Sequence, residues 1–480
     1  MELDLRILQN ETNFKDLEKK IFKIVCKQAR EILKRLLEKI DEIIMESRDK
    51  DKFDNKDIKK RTLDTLFGEV TIKRRYYKDS NDDFRFLLDE YLNIPANKRQ
   101  SPALKEIALD LVTELPYRKA ADKIENILET STSHSSIFNW VQKEGSKLAK
   151  EAKTKQHDFF NDGLIPDDKY GDRKEIEHLF VEADGIHIPL QEDDKEKGEL
   201  KLCMSYQGWE RRHPMSDEYN LTGKKYYGGI FSSDELWKET AAEIYEDYSF
   251  TNGSISVLCG DGADWITTGR EYIPQVKVRY LDKYHLNKNL FKKLGRSKFI
   301  PKLLDNIKEN DIDKLRENLK KARQYRHKKT DKEKVDRLKK YLLKNWGFIQ
   351  NKKQDQRIEK LGLPEDIRGL GAMESNIDKV LANRFKKRGM RWSREGARNL
   401  AKIIIADRNN TLENHLNKVN WEFKTEDLNK AYNTVQKKYS RSESEVLKVT
   451  MPALKGPKSG QDWVKGLKNI SDPMINNPII

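Results

Sequence analysis

The sequence predicts an α+β chain of several domains: a mostly helical N-terminal region carrying a small β-hairpin, then a mixed α/β core with a helical insertion. Three patterns predict it. Apolar residues recur every three or four positions over 11–48 and again over 101–143. Strand-like runs crowd between 178 and 281 around one helical segment, and charged helical text then fills 286–350. The chain has 480 residues, room for about two to four domains of roughly 100 to 200 residues each.

In the first stretch Phe14, Leu17, Ile21, Val25, Ile32, Leu36, Ile40 and Ile43 share a helical period, which makes one long amphipathic helix or two shorter ones. Residues 67–77 alternate and are rich in β-branched and aromatic side chains, and the polar break Asp79–Asp82 precedes Phe84–Leu87. A small basic hairpin is expected there. Three helical segments follow, Pro102–Glu114, Tyr117–Leu128 and Ser133–Lys143, in a helix-turn-helix rhythm. In the third, Ile137, Trp140 and Val141 face inward and leave Ser133, His134 and Asn139 near the start, where a recognition helix meets base edges or phosphates. A plain three-helix bundle gives the same spacing.

These patterns divide the chain into an N-terminal amphipathic helical region (1–60), a basic hairpin module (61–100) and a helix-turn-helix-like region (101–150). A polar linker (151–177) precedes a core built from 178–285 and 365–410, which is interrupted by a helical insertion at 286–364. A C-terminal helical region and tail (411–480) completes it.

Lys and Arg number 95 against 80 Asp and Glu, a net charge of +15 with a pI near 9.2. Such a balance favours a polyanionic partner, although a helix-rich protein with solvated faces carries similar charge. Distribution is more telling: 291–340 holds 19 basic and 8 acidic residues, so an excess of 11 sits in one stretch that includes Lys321, Arg323, Arg326, Lys328 and Lys329. Further on, Lys379, Arg384, Lys386, Lys387 and Arg388 offer charges suited to phosphate or form a solvated basic face. Cys26, Cys203 and Cys259 lie far apart with no Cys-x-x-Cys pair, which argues against a disulfide framework or zinc ribbon and fits a reducing compartment. Residues 1–10 lack the apolar core of a signal peptide, and no run approaches the roughly 18 apolar residues of a membrane span; a cytoplasmic protein with no membrane partner is expected.

Within the core, strands are expected at His178–Ala183, Ile186–Leu190, Leu200–Tyr206, Lys225–Phe231, Ser254–Cys259 and Val276–Leu281, with a helix at Asp234–Tyr248. Neighbouring strands, then a helix, then strands that each end in an acidic residue describe a mixed sheet of the ribonuclease H kind. Asp184 follows one apolar run and precedes Gly185; Asp261 follows another and is flanked by Gly260 and Gly262, which let phosphate approach. Glu374 begins a helix on the face of Ile377, Leu381 and Phe385. An inward carboxylate needs neutralisation, and hard oxygen ligands favour Mg²⁺ or Mn²⁺. Two such ions about 3.5 to 4 Å apart support phosphodiester displacement. Singly, each acid is equally an ordinary strand-end or turn residue.

Taken together, Val181-Glu182-Ala183-Asp184-Gly185, Gly260-Asp261-Gly262-Ala263, Leu281-Asp282-Lys283-Tyr284-His285-Leu286 and Met373-Glu374-Ser375-Asn376 resemble the ISLre family of insertion-sequence transposases, related to the Mutator-like DDE transposases. The resemblance extends through Phe67-Gly68-Glu69-Val70, Tyr117-Arg118-Lys119-Ala120-Ala121, Gly208-Trp209-Glu210, Tyr226-Tyr227-Gly228-Gly229 and Asn383-Arg384-Phe385-Lys386 with Trp392-Ser393. It implies a ribonuclease H-like core in which Asp184, Asp261 and Glu374 are the catalytic, metal-binding triad, with two Mg²⁺ or Mn²⁺ ions. It further implies Asp282 and His285 as contacts to DNA near the cleavage point, with a core histidine as the other reading of His285. Double-stranded DNA of the element ends and target DNA are the implied partners, with a homo-oligomer in the synaptic complex. A DNA-binding regulator that no longer cuts, and a metal-dependent nuclease that never joins strands, are the rival readings.

Overall fold

The computed structural model describes residues 13–92, 94, 98–163, 173–191, 197–349, 363 and 370–416, less the Arg388 side chain. They fall into two compact units, the first ending at Ser101 and the second beginning at Pro102.

The first unit is one long helix, α1 (Phe14–Ser47), with a three-stranded antiparallel sheet, β1 (Phe53–Thr65), β2 (Gly68–Asp79) and β3 (Phe84–Arg85), and a short helix α2 (Leu87–Tyr91). Asn13 caps α1 by accepting from the Asp16 amide. Leu37 and Ile44 of α1 pack on Leu63, Val70, Ile72 and Tyr77 of the sheet. Buried Asp41 ties the layers by accepting from the Arg75 amide at 3.2 Å and the Arg75 guanidinium at 2.6 Å. The expected hairpin forms, with β2 pairing β3 antiparallel through Tyr77↔Arg85 and Lys78↔Phe84. A longer one precedes it: β1 pairs β2 from Phe53↔Asp79 to Thr65↔Gly68 across a turn between Thr65 and Gly68, so a module boundary at 60/61 would cut a strand. The sequence hides β1 because Lys56, Lys59 and Lys60 stand exposed where alternation needs apolar residues. Its basic character is partly structural, since Arg61 and Arg74 both converge on buried Asp89.

In the second unit α3 (Pro102–Glu114), α4 (Tyr117–Ile127) and α5 (His134–Phe160) reproduce the expected three-helix rhythm. However, α5 continues through 151–160, expected to be linker. That stretch is polar because it pairs with acids instead of burying carbon: Lys155 donates to Glu243 at 3.0 Å and also to Glu246, while Phe159 packs 4.8 Å from Tyr245. Residues 164–172 of the expected linker lie outside the described residues.

A five-stranded sheet runs in the order β10-β9-β4-β5-β8. Its strands are β4 (Lys174–Pro189), β5 (Lys197–Tyr206), β8 (Lys225–Ile230), β9 (Tyr248–Gly260) and β10 (Val276–Leu281); the ribbon β6 (Gly208–Arg211) and β7 (Tyr219–Thr222) projects between β5 and β8 in sequence. β4, β5 and β8 pair antiparallel; β9 and β10 add in parallel on the other side of β4. The two strands expected at 178–183 and 186–190 are one, since β5 pairs β4 continuously from Phe180 to Pro189 and Asp184-Gly185 makes no turn. Successive side chains alternate between faces. Leu179, Val181 and Ala183 therefore join Leu236, Trp237 and Ile266 in a core with α6 (Ser233–Asp247), and Phe180, Glu182 and Asp184 project to the opposite face.

After β10, helices α8 (Lys283–Leu294), α9 (Phe299–Lys308), α10 (Ile312–Gln324) and α11 (Lys329–Lys344) enclose an apolar core of their own around Leu290, Leu303, Leu315, Leu319, Leu338 and Leu342. The short α7 (Asp264–Thr267) lies between β9 and β10. The chain returns to the sheet with α12 (Met373–Ile377), a π-helical turn (Asp378–Ala382), α13 (Asn383–Phe385), α14 (Arg394–Arg408) and α15 (Leu412–Leu416). The remainder of the expected C-terminal region lies outside the described residues. No described helix is long and apolar enough to cross a membrane.

The three N-terminal helices of this unit are not a separable module. α5 crosses α14 so closely that a Cβ added to Gly145 would stand 2.2 Å from the Asn399 carbonyl oxygen, and Gln142 accepts from Asn399 Nδ2 at 2.9 Å. Arg384 reaches α3 by donating to the Val112 carbonyl at 2.8 Å. Gly145→Ala should therefore cost about 1–3 kcal/mol through overpacking, read as a lowered Tm in a circular-dichroism melt. A chain lacking residues 1–101 should keep a cooperative melt, whereas one lacking 1–150 should lose it, because it strips α3, α4 and the α5–α14 contacts at Gln142 and Gly145. A cooperative melt from the shorter chain would place the folding boundary at 150 instead.

Candidate active site

The geometry of the site begins in strand register. Ala183 of β4 pairs with Gly260 of β9, and Gly260 with Leu281 of β10. All three strands run parallel, so the next residue of each, Asp184, Asp261 and Asp282, arrives at one level of the sheet. Ligands in such sheets gather beyond the carboxyl ends of the strands.

Each aspartate is then fixed locally. Asp184 accepts from the Gly185 amide at 2.8 Å, and Asp261 from the Ala263 amide at 2.8 Å. Asp282 is the N-cap of α8: one oxygen accepts from the Tyr284 amide at 2.9 Å, and the other accepts from His285 Nδ1 at 3.1 Å. That bond turns the His285 Nε2 edge toward Glu374, 3.7 Å from Oε2. Asp184, His285 and Glu374 each offer a ligand atom, and these atoms lie within 4.8 Å of one another.

Burial raises the Asp184 carboxyl to about 6, helped by the charges of Asp261 and Glu374, against the opposing pull of the Gly185 amide and His285. For His285, burial favours the neutral ring, but the bond to Asp282 and the charges of Asp184, Asp282 and Asp261 outweigh it and raise its pKa above the ordinary value. Negative charge is thus concentrated around partly buried His285, with buried Arg279 also within electrostatic reach of Asp261. Asp184, His285 and Glu374 could hold a metal ion, and their carboxylate oxygens are hard ligands.

Glu374 arrives from a distant part of the sequence and is held on both sides. Buried Glu182, two residues before Asp184 on the same face of β4, accepts from the Met373 amide at 2.9 Å, the Gly371 amide at 3.1 Å and the Tyr206 hydroxyl at 2.7 Å. Burial outweighs these donors and holds its carboxyl above the ordinary range. One turn later Asn376 accepts from the Tyr226 hydroxyl at 2.5 Å and donates to the Ala372 carbonyl at 2.8 Å. Glu182 is absent from the residues expected from sequence; its signal there is an acid inside the apolar run Leu179–Ala183, in phase with Asp184.

Two residues expected to touch DNA are buried and bonded within the fold. Asp282 is only 4% exposed and spends its oxygens on α8 and His285. Arg384, 3% exposed, lies between the rings of Tyr117 and Trp392 and bonds α3, so it faces away from solvent; a cation within a basic run reads as surface because its aromatic partners are distant in sequence. Ser133 uses its hydroxyl to cap α5, while His134 and Asn139 are exposed. Lys379, Lys386 and Lys387 are exposed, and the Arg388 side chain lies outside the described residues. In the insertion Lys321 pairs with Glu317 at 2.6 Å and Arg323 with Asp336 at 2.8 Å, exposed contacts worth little in water. Arg326 instead caps α8 through the Leu294 carbonyl at 2.6 Å, whereas Lys328 and Lys329 stand exposed at the start of α11. The far end of α11 returns to the site, where the Tyr341 hydroxyl donates to the Asp261 carbonyl at 3.0 Å.

Similar proteins cover most of the chain. A UPF0236 protein of Caldanaerobacter subterraneus subsp. tengcongensis is 28% identical over 408 residues, 84% of this chain and 79% of the relative; a second from that organism is 28% identical over 84% of this chain and 80% of its own length. A UPF0236 protein in the vanSb 3′ region of Streptococcus gallolyticus is 24% identical over 85% of this chain and 86% of its own. Among solved structures, the Drosophila P element transposase strand transfer complex overlaps 73% of this chain and 85% of its own with a TM-score of 0.23 and 11% identity. Residues 7–425 match the family described as Uncharacterised protein family (UPF0236), and the chain belongs to that family.

Proposed function

We propose that this chain is a DDE transposase of a bacterial insertion sequence, with a ribonuclease H-like core in which Asp184, Asp261 and Glu374 hold divalent metal for DNA cleavage and strand transfer. The observation that carries the reading is the convergence of Asp184, Asp261 and Asp282 at one level of three parallel strands with Glu374 delivered against His285. The resemblance of these same motifs to ISLre transposases supports it. So do the names of the relatives: one from Caldanaerobacter subterraneus joins eleven locus tags, and another joins four. A coding sequence found at many places in one genome is what a mobile element leaves behind.

Bound Mg²⁺ or Mn²⁺ would lower the pKa of a water or a DNA 3′-hydroxyl and stabilise the departing oxygen. The side chains orient that chemistry. Asp184 would be a ligand fixed within a paired strand, and Asp261 one held just past the end of β9 by its bond from the Ala263 amide. His285, locked by Asp282, places its Nε2 edge beside Glu374, where it carries positive charge toward an incoming phosphate. The basic insertion, anchored at Asp261 through Tyr341, offers a surface for the DNA backbone.

Asp184→Ala, Asp261→Ala and Glu374→Ala should each abolish Mg²⁺-dependent cleavage of element-end DNA while leaving duplex binding within about threefold of wild type, since phosphate contacts dominate that affinity. Gel assays of cutting and binding read both, and near-normal cleavage by any variant removes that residue from the triad. Joined products distinguish transposition from hydrolysis alone.

Metal affinity should also depend on pH. Asp184 takes up a proton as pH falls through about 6, and a proton competes with metal for the same oxygen. Mn²⁺ affinity should weaken by about tenfold per pH unit below that point and stop varying with Asp184 once the group is ionised. Calorimetric titrations from pH 5 to 8 measure it; a flat profile below pH 6 would exclude Asp184 as a ligand.

For the insertion, replacing Lys321, Arg323, Lys328 and Lys329 with Gln, and leaving the capping Arg326, should flatten the fall of log affinity with log salt by about 0.9 for each phosphate no longer neutralised. Coincident slopes for wild type and variant would assign the stretch to solubility.

A further inference from the structure

We propose that Glu182 is a positioning residue: its buried carboxylate latches the 371–373 turn onto β4 and thereby sets where Glu374 stands against Asp184 and His285. The inference rests on the metal-site reading above and adds a residue to it. Glu182 is 1% exposed. Both its oxygens accept from the Gly371 amide, at 3.1 Å each, one accepts from the Met373 amide at 2.9 Å, and the Tyr206 hydroxyl adds a bond of 2.7 Å. None of these donors is a cation, so the carboxylate is not there to close a salt bridge. Burying such a group is costly, and an apolar residue would fill the same volume more cheaply.

What the carboxylate does that an apolar residue could not is gather amide protons from a segment 191 residues away in sequence. The segment is clamped from the other side as well. Gly371 has φ +114°, and a Cβ there would stand 2.6 Å from Asp282 Oδ1. The turn is therefore pressed between Glu182 on β4 and the aspartate that orients His285. Glu374 follows Met373 directly, so its ligand oxygen inherits its place from this clamp. Groups that orient metal ligands in this way typically change metal affinity or activity by about 10- to 100-fold when removed.

The test uses Mn²⁺ binding to the full chain, by calorimetry and electron paramagnetic resonance, beside thermal melts of the same samples. Glu182→Gln keeps the side chain's size but sets an amide NH₂ against an N–H donor. It should weaken Mn²⁺ binding by about 10- to 100-fold in protein that melts as a folded species. Glu182→Asp, which keeps the charge but draws the oxygens back from the 371–373 amides, should weaken it similarly and decides the question should Glu182→Gln fail to fold. Tyr206→Phe, which removes a donor but leaves the turn attached, should bind Mn²⁺ close to wild type. Folded Glu182→Gln with wild-type Mn²⁺ affinity would overturn the latch while leaving the metal site standing. A wild-type chain that binds no Mn²⁺ would overturn the metal-site reading and the latch with it.

Discussion

Parallel pairing fixes where neighbouring strands stop relative to one another, and in this chain that constraint precedes everything at the site. β4, β9 and β10 are locked side by side through Ala183, Gly260 and Leu281. No side-chain chemistry is needed to bring the three aspartates level; the backbone ladder does it. β4 outlasts its parallel neighbour because β5 continues to pair with it. Asp184 is consequently held within a strand, while Asp261 follows the end of β9 and Asp282 caps α8.

A second constraint is electrostatic. Acids driven together by register repel, and the fold answers with a histidine, with amide dipoles and, toward Asp261, with buried Arg279. Asp282 serves this purpose with both of its oxygens. As the α8 cap and the partner of His285 it organises positive charge without offering a free oxygen. The arrangement leaves Asp184 and Glu374 placed where, with His285, they could hold a metal ion.

Much of this is legible in the sequence. The apolar runs mark the strands, and Asp184 and Asp261 stand at recognisable changes of pattern, because burial on a sheet imposes a short period that text preserves. What stays hidden depends on partners remote in sequence. β1 resembles charged loop because its exposed lysines hide the alternation. Residues 151–160 resemble linker because their polar side chains answer Glu243 and Glu246. Arg384 resembles a phosphate contact in text, and only folding brings Tyr117 and Trp392 around it. Glu182 carries a local signal, an acid in an apolar run, but its meaning lies in amides as far as 191 positions on.

That separation has a consequence for when the protein can act. A ribosome releases β4 long before it reaches Met373, and the helical insertion with its own core is made in between. A nascent chain therefore carries Asp184 and Asp261 while the third carboxylate is still unsynthesised. The acidic cluster closes only once Glu374 itself emerges, so any product of interrupted translation upstream of that residue lacks one wall of the candidate site.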